Sequence, residues 1–237
     1  MKKLLILAGG FGSRLKTAVS NVPKPLAPVL GKPFLEYLIK HYISQGVDDF
    51  VFLLHYDYEK ILSLLSQMKK DGYLDGIKVK SVVEMKPLGT GGSILNAVEE
   101  LNLNTPFLAT NADTWLGSGI LDMDVKDGNS LLAVKVKNSS RYGTLVTEGD
   151  HIVKFQEKSD SIGPGWISAG LYQLDPKIFK SLSGTKTFSL EKLIFPKLVS
   201  KASLRVVKLN TDFIDIGVPE DYFRFCRWIE KDKTGEL

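Results

Sequence analysis

The 237-residue chain has one cysteine, Cys226, only three histidines and no long apolar run. A single cysteine allows neither an intramolecular disulfide nor a cysteine metal cage, which favours a reducing compartment. The apolar runs fall well short of the roughly 18 residues that a membrane-spanning helix needs. The segment after Met1, two lysines and a few apolar residues, is too short for a secretory signal peptide. We therefore expect a cytoplasmic protein without membrane insertion.

The net charge of the chain is small, so it excludes no class of small-molecule substrate. Lysine and arginine total 31 against 27 acidic residues, a net charge of +4. Because no block of basic residues is present, nucleic acid is not expected as a partner. A hydrophobic content of 43% with 24% charged residues is typical of a globular protein. The length suits one α/β domain with a single sizeable core, so we predict one domain over residues 1–237.

The most informative stretch is a glycine-rich segment that follows a short apolar run. Residues 3–7 are predicted to form a buried strand, and the loop after it contains Gly9, Gly10, Gly12, Ser13 and Arg14. Glycine lets a backbone approach a ligand closely because no Cβ stands in the way. Backbone N–H groups of such a loop turn toward a polyphosphate, while Arg14 and the Lys24 of Pro23-Lys24-Pro25 would neutralise its charge. The segment predicts a nucleotide site with the binding residues Leu7, Ala8, Gly9, Gly10, Gly12 and Ser13.

The glycine spacing disfavours two other phosphate-binding loops. Gly9, Gly10 and Gly12 do not complete the Gly-x-Gly-x-x-Gly of dinucleotide enzymes, and no Gly-Lys-Ser/Thr follows. The second predicted strand ends in the segment Leu53-Leu54-His55, which lacks the acidic residue that binds a ribose. A Rossmann-type oxidoreductase is therefore the weaker interpretation.

Strands and helices alternate through the first half of the chain. Strands are predicted at 3–7, 49–54, 79–83 and 105–109, and helices at 33–45, 58–70 and 91–101. This alternation predicts an α/β fold with a Rossmann-like, mixed but mainly parallel sheet flanked by helices. Ligands of such sheets bind beyond the carboxyl ends of the strands. The glycine loop, Glu84 and Asp113 all fall at those ends.

Shorter strands dominate after Asp113. Strands at 130–137, 143–147 and 152–156 are predicted to form a β-meander with a turn at Glu148-Gly149-Asp150. Further strands are predicted at 171–174, 204–208 and within 212–218, and helices at 190–200 and 220–231. We expect a nucleotide-binding half over about residues 1–115 and a substrate-binding half over about residues 116–237.

Two aspartates far apart in sequence are candidate ligands of Mg²⁺. Phosphoryl chemistry on a nucleotide needs a cation to withdraw charge from the phosphates. Mg²⁺ prefers oxygen ligands and keeps several waters, so one or two carboxylates suffice. Asp113 follows an apolar strand, and Asp215 begins Asp215-Ile216-Gly217. A helix cap or a turn is the alternative role for an aspartate after a strand, and Asp212 is an alternative ligand.

Residues in the middle of the chain suit a base and a sugar. Glu84, ahead of a glycine-rich turn at Gly89, could accept hydrogen bonds from the ring N–H and the amino group that guanine offers as a pair. A solvated loop glutamate fits Glu84 equally well. Trp115 and Trp166 flank Asp113 and Ser168, and either is placed to stack on a ligand.

The chain resembles the sugar-1-phosphate nucleotidyltransferases in ordered motifs from Leu5 to Tyr222. The resemblance implies the nucleotide-diphospho-sugar transferase fold and transfer of a nucleoside monophosphate to a sugar 1-phosphate, with release of pyrophosphate. It also implies roles for named residues: Arg14 and Lys24 on the triphosphate, Lys158 on the incoming phosphate, Glu157, Gly143 and Ser168 on the sugar, Glu84 and Gly89 near the base, and Asp113 and Asp215 on Mg²⁺. Ala112 and Ser168 depart from the glycine and asparagine of the family pattern.

Within that family, residues 16–28 and 31–37 look most like the D-glycero-D-manno-heptose 1-phosphate guanylyltransferases. This resemblance implies that GTP is the donor and that the sugar is used to build bacterial surface carbohydrate. Hexose 1-phosphates, and CTP or UTP as the donor, stay open. A non-catalytic relative that binds nucleotide sugars is a further alternative. Members of the family commonly associate, so a homo-oligomer is an open expectation.

Overall fold

The computed structural model describes residues 2–10, 15, 18–19, 22–123, 128–156, 163–182, 184 and 187–234. Five residues with predicted roles lie outside the described residues: Gly12, Ser13, Arg14, Glu157 and Lys158.

The first half of the described chain alternates strands and helices as predicted. Its elements are β1 (Lys3–Leu7), β2 (Pro28–Val29), β3 (Lys32–Pro33), α1 (Phe34–Ser44), β4 (Asp49–Leu54), α2 (Tyr58–Lys70), β5 (Lys78–Val83), α3 (Gly89–Glu100) and β6 (Phe107–Asn111). Pro33 precedes α1 with an extended backbone (φ −62°, ψ 140°), which sets the start of the helix. Gly46, with φ +88°, follows its end, as the sequence predicts for a helix stop.

Short strands dominate the second half. Its elements are β7 (Thr114–Leu116), β8 (Asn129–Val136), β9 (Thr144–Glu148), β10 (His151–Gln156), β11 (Gly165–Leu174), α4 (Phe195–Ser200), β12 (Leu204–Leu209), β13 (Phe213–Asp215) and α5 (Pro219–Thr234). Short helical turns lie at Lys24–Leu26, Pro176–Leu182 and Leu190–Ile194. No helix among the described residues is long and apolar enough to cross a membrane.

Nine of these strands form one mixed sheet in the order β5-β4-β1-β6-β11-β8-β12-β10-β9. The four strands from β5 to β6 run parallel, and β12 runs parallel to β8. β11 is antiparallel to both of its neighbours in the sheet order. The predicted α/β class with a mixed sheet flanked by helices is therefore confirmed, and the largest parallel part is the half of the sheet from β5 to β6.

Helices cover both faces of the sheet, because its inner strands are apolar on both sides. In β1, Leu4 and Ile6 belong to one buried cluster and Leu5 to the other. The first cluster packs against α1, α2 and α5, and the second against α3 and α4. The side chains of β4 are all buried, as expected for a central strand of a covered parallel sheet.

The predicted β-meander is wrong in one respect. β9 and β10 form the expected antiparallel hairpin. β8, however, lies between β11 and β12 and is not adjacent to β9. Residues 129–134 of β8 are all buried, as expected for an inner strand of a sheet that is covered on both faces.

A small ladder outside the main sheet joins the two halves of the chain. β7 pairs antiparallel with β13, and Thr114 lies opposite Asp215. Trp115 in this ladder is buried and stacks on the ring of His41, with centroids 4.1 Å apart. The expectation that Trp115 stacks on a ligand is therefore wrong, because the indole is enclosed by core residues.

Phe225 of α5 anchors the β7–β13 ladder to the core. Its ring is fully buried, 4.9 Å from the ring of Phe34 and 5.2 Å from that of Trp115. We expect Phe225→Ala to lower the free energy of unfolding by about 3–5 kcal/mol, because it leaves a cavity at a three-element junction. Urea unfolding followed by circular dichroism measures this change. Phe223→Ala is the matched control, since Phe223 lies on the same helix and is 48% exposed. Equal losses for the two variants would contradict this account of the packing.

Candidate active site

A cleft of about 360 Å³ opens where β1, β5 and β6 end. Six residues with predicted roles line this cleft: Leu7, Gly9, Gly10, Glu84, Gly89 and Asp113. They meet because the carboxyl ends of neighbouring parallel strands share one edge of the sheet. Asn111, Thr90 and Ser93 also line the cleft. The sequence analysis did not predict a role for Asn111, although its position at the end of β6 could have indicated one.

The described part of the glycine loop is held close to the strand ends. Ala8 N donates to Leu53 O at 2.9 Å, and Ala112 N donates to Leu7 O at 3.1 Å. A Cβ on Gly9 would lie 3.2 Å from His55 Cβ, whereas a Cβ on Gly10 would meet nothing within 4 Å. Gly9 therefore allows the loop to pack against the end of β4, and Gly10 leaves open space beside the cleft.

Glu84 lines the same cleft and is only 6% exposed. Its N–H donates to Leu54 O at 2.8 Å, and its carbonyl oxygen accepts from His55 Nδ1 at 2.9 Å. Its carboxylate Oε2 accepts from Leu88 N at 3.1 Å. The other oxygen, Oε1, is buried and has no hydrogen-bond partner among the described residues.

An unpartnered buried carboxylate oxygen is costly unless a ligand supplies a donor. At the cleft wall, Glu84 Oε1 could therefore accept a hydrogen bond from a ligand. His55 contributes to this site as a support of the Glu84 backbone, which the sequence interpretation missed. Its position directly after the apolar strand β4 was the available signal.

Lys24 contacts both Asp215 and Asp113, and Asp113 lines the cleft beyond the end of β6. The Lys24 ammonium donates a short hydrogen bond to Asp113 Oδ2 and lies 3.6 Å from Asp215 Oδ1. The Asp215 carboxylate also accepts from Gly217 N at 2.7 Å. A Cβ on Gly217 would lie 2.7 Å from both Asp215 Oδ1 and Lys24 Nζ. The glycine of Asp215-Ile216-Gly217 therefore leaves room for the ammonium.

The electrostatics of this cluster favour a bound cation. Burial raises the pKa of Asp215, the nearby Asp113 charge raises it further, and Lys24 acts in the opposite direction. Two carboxylates that already converge on one ammonium provide the hard oxygen donors that Mg²⁺ takes. In the part of the chain that the structure describes, no group of three or more His, Cys, Asp or Glu could hold a metal ion. A divalent cation therefore fits if water and substrate phosphate supply the remaining ligands.

Gly143 and Ser168 lie together but do not line this cleft. β9 pairs with β11 at Thr144 and Ile167, so the preceding Gly143 and the following Ser168 are neighbours. A Cβ on Gly143 would lie 3.0 Å from Gln156 O at the end of β10. The structure thus brings these two residues to one place on the sheet, next to the last residue of β10.

The raised pKa of Asp215 leads to a stability prediction for the metal-free protein. A carboxyl group whose pKa is higher in the folded state costs stability once the pH exceeds its ordinary value. At pH 7 we therefore expect Asp215→Asn to raise the melting temperature of the metal-free protein. Differential scanning calorimetry in the presence of a chelator measures the melting temperatures of the variant and the wild type. A melting temperature below that of the wild type would mean that the Lys24–Asp215 ion pair outweighs the cost of burial.

Curated relatives and a solved structure match nearly the whole chain. The D-glycero-alpha-D-manno-heptose 1-phosphate guanylyltransferase of Campylobacter jejuni is 35% identical over 226 residues, 93% of this chain and 97% of that protein. The protein of the same name from Aneurinibacillus thermoaerophilus is 31% identical over 92% of this chain and 94% of its own length. The crystal structure of HddC from Yersinia pseudotuberculosis complexed with GMP-PN superimposes with a TM-score of 0.81 at 32% identity, covering 97% of this chain and all of that one.

The model of one protein family also matches this sequence. Its description is nucleotidyl transferase, and the match runs over residues 3–232. The match includes the glycine loop, Glu84, Asp113 and Asp215. The chain therefore belongs to the nucleotidyl transferase family.

Proposed function

We propose that this chain transfers GMP from GTP to D-glycero-D-manno-heptose 1-phosphate, which gives the GDP-sugar and pyrophosphate. The choice of base rests on Glu84 Oε1, which is buried at the wall of the cleft and has no hydrogen-bond partner among the residues that the structure describes. Guanine presents a ring N–H beside an amino group, and one carboxylate can accept from both. Adenine, cytosine and uracil each place an acceptor within that edge, which a carboxylate would repel. The relatives named as heptose 1-phosphate guanylyltransferases support both the base and the sugar.

The proposed reaction is an in-line displacement at the α-phosphorus. An ionised oxygen of the sugar phosphate forms the new P–O bond, and the bond to the β-phosphate oxygen breaks as pyrophosphate leaves. The attacking oxygen carries no proton, so the step needs no general base. Catalysis then depends on positioning the two substrates and on neutralising the charge that develops on the phosphates.

The chain's own residues divide this work between them. Asp113 and Asp215 are proposed to hold Mg²⁺, which when bound supplies charge neutralisation of the triphosphate. Lys24, whose ammonium lies beside both carboxylates, is proposed to neutralise the charge of the departing pyrophosphate. Arg14 and the glycine loop residues Gly12 and Ser13 are proposed to bind the triphosphate, and Lys158, Glu157, Gly143 and Ser168 the sugar phosphate. This divides the single domain into a nucleotide-binding half, about 1–115, and a sugar-phosphate-binding half, about 116–237.

The direct test is pyrophosphate release by the purified protein with Mg²⁺. GTP, ATP, CTP and UTP are each combined with a panel of sugar 1-phosphates that includes the manno-heptose and several hexoses. We expect release with GTP and the heptose 1-phosphate, and about 100-fold slower release by Asp113→Asn, equivalent to about 2.7 kcal/mol of barrier. Turnover restricted to a hexose 1-phosphate or to another nucleotide would contradict the proposed substrate pair.

Glu84→Gln tests the choice of base separately from the chemistry. The glutamine can still accept from Leu88 N, but its amide N–H group would face the donors of guanine. We expect kcat/KM for GTP to fall by about 10- to 100-fold, or about 1.4–2.7 kcal/mol. The preference for GTP over ATP should narrow as well. Glu148→Gln is the control, because Glu148 is exposed at the β9–β10 turn. An unchanged preference in Glu84→Gln would remove Glu84 from base recognition.

A further inference from the structure

The base side of the cleft is backed by a segment about one hundred residues further along the chain. We use the name base loop for residues 84–92, which include Glu84 and the cleft-lining Gly89 and Thr90. We use the name clasp for residues 188–191, which lie against that loop. Thr90 and Glu191, which join the two segments, are 101 residues apart in sequence.

The clasp holds the base loop through main-chain hydrogen bonds. Phe188 N donates to Leu88 O at 3.0 Å, and Phe188 O accepts from Gly91 N at 3.0 Å and Gly92 N at 3.2 Å. A Cβ on Gly89 would lie 2.7 Å from Phe188 O, and a Cβ on Gly91 would lie 2.2 Å from the Phe188 ring. The two segments are therefore so close that the base loop needs glycine at both positions.

Glu191 adds a side-chain connection at the first turn of α3. Its Oε2 accepts from Thr90 Oγ1 at 2.8 Å and from Ser189 Oγ at 2.5 Å. Thr90 Oγ1 in turn accepts from Leu190 N at 3.0 Å, so the hydroxyl is held from two sides. The carboxylate is exposed, yet two hydroxyl groups converge on one of its oxygens. This arrangement differs from that of a solvated surface glutamate.

The second oxygen of Glu191 connects the clasp to the central sheet. Tyr172 OH donates to Glu191 Oε1 at 3.5 Å, and the Tyr172 ring is buried against Phe195. Burial raises the pKa of Tyr172, and the Glu191 charge raises it further, so the phenol remains a donor at neutral pH. Glu191 therefore joins the base loop to β11, the strand that carries Ser168.

We propose that Glu191 is a positioning residue for the nucleobase, acting through Thr90 to fix the base loop at the wall of the cleft. The inference rests on the proposed function, since it requires the cleft to bind the guanine nucleotide. Thr90 lines the cleft, whereas Glu191 contacts Thr90 and does not line the cleft. Loss of the carboxylate leaves the Thr90 hydroxyl without its acceptor. The base loop then adopts the binding position for a smaller fraction of the time, which weakens binding.

Steady-state kinetics on the Glu191 variants tests this role. We expect Glu191→Ala to raise the KM for GTP by about 5- to 10-fold, with kcat within about twofold and the KM for the sugar phosphate unchanged. Glu191→Gln should restore the KM to within about twofold, because its amide oxygen still accepts from Thr90 and Ser189. Thr90→Val should reproduce the defect, Thr90→Ser should not, and Thr90→Val with Glu191→Ala should be no worse than either alone.

Calorimetric titration with GDP separates the outcomes without using turnover. If the wild type binds GDP and Glu191→Ala binds it about 5- to 10-fold more weakly, with Glu148→Ala unchanged, the inference holds. Equal affinities in the wild type and Glu191→Ala overturn the inference and leave the proposed function intact. A fall in kcat and melting temperature with unchanged KM also overturns it, because a merely structural role reduces the active fraction. No GDP binding by the wild type overturns the proposed function and the inference with it.

Discussion

One ammonium group between two carboxylates connects three segments of this protein that are far apart in sequence. Lys24 follows the glycine loop, Asp113 follows β6, and Asp215 ends β13, yet the three side chains share one ion cluster. The two carboxylates repel each other because both carry negative charge. Their close approach therefore depends on a cation between them, whether an ammonium or a metal ion. Two features allow this contact. The β7–β13 ladder sets the register of Asp215, and the absence of a side chain at Gly217 leaves room for Lys24.

The cleft separates two kinds of recognition. At one end, Glu84 presents a buried acceptor for a group with hydrogen-bond donors, and at the other, the ion cluster suits a polyphosphate with its cation. The parallel strands place these ends at one edge of the sheet. Local supports fix each end: His55 and Leu88 hold Glu84, and Gly217 N holds Asp215. A nucleoside triphosphate matches this arrangement, because its base lies at one end of the molecule and its phosphates at the other.

The parts that the sequence predicts well are those where a local pattern also determines the tertiary position. β1 and β4 are recognisable as apolar runs, and parallel pairing then brings Leu7, Glu84 and Asp113 to one edge of the sheet. The three-residue strands β7 and β13 are too short to show a period, so their pairing and the burial of Trp115 were not predictable. The place of β8 between β11 and β12 and the contact of Glu191 with Thr90 also depend on distant residues. No local signal specifies such contacts.

The central claim is that Asp113 and Asp215 jointly hold the divalent cation that accompanies the nucleotide. Electron–nuclear double resonance of Mn²⁺–GTP bound to protein with ¹³C-labelled aspartate carboxyl groups tests this claim directly. The account predicts ¹³C couplings from directly coordinated carboxylates, which weaken in Asp113→Asn and in Asp215→Asn and vanish when both are replaced. Couplings that are absent from the wild type, or that persist in the double variant, would contradict it.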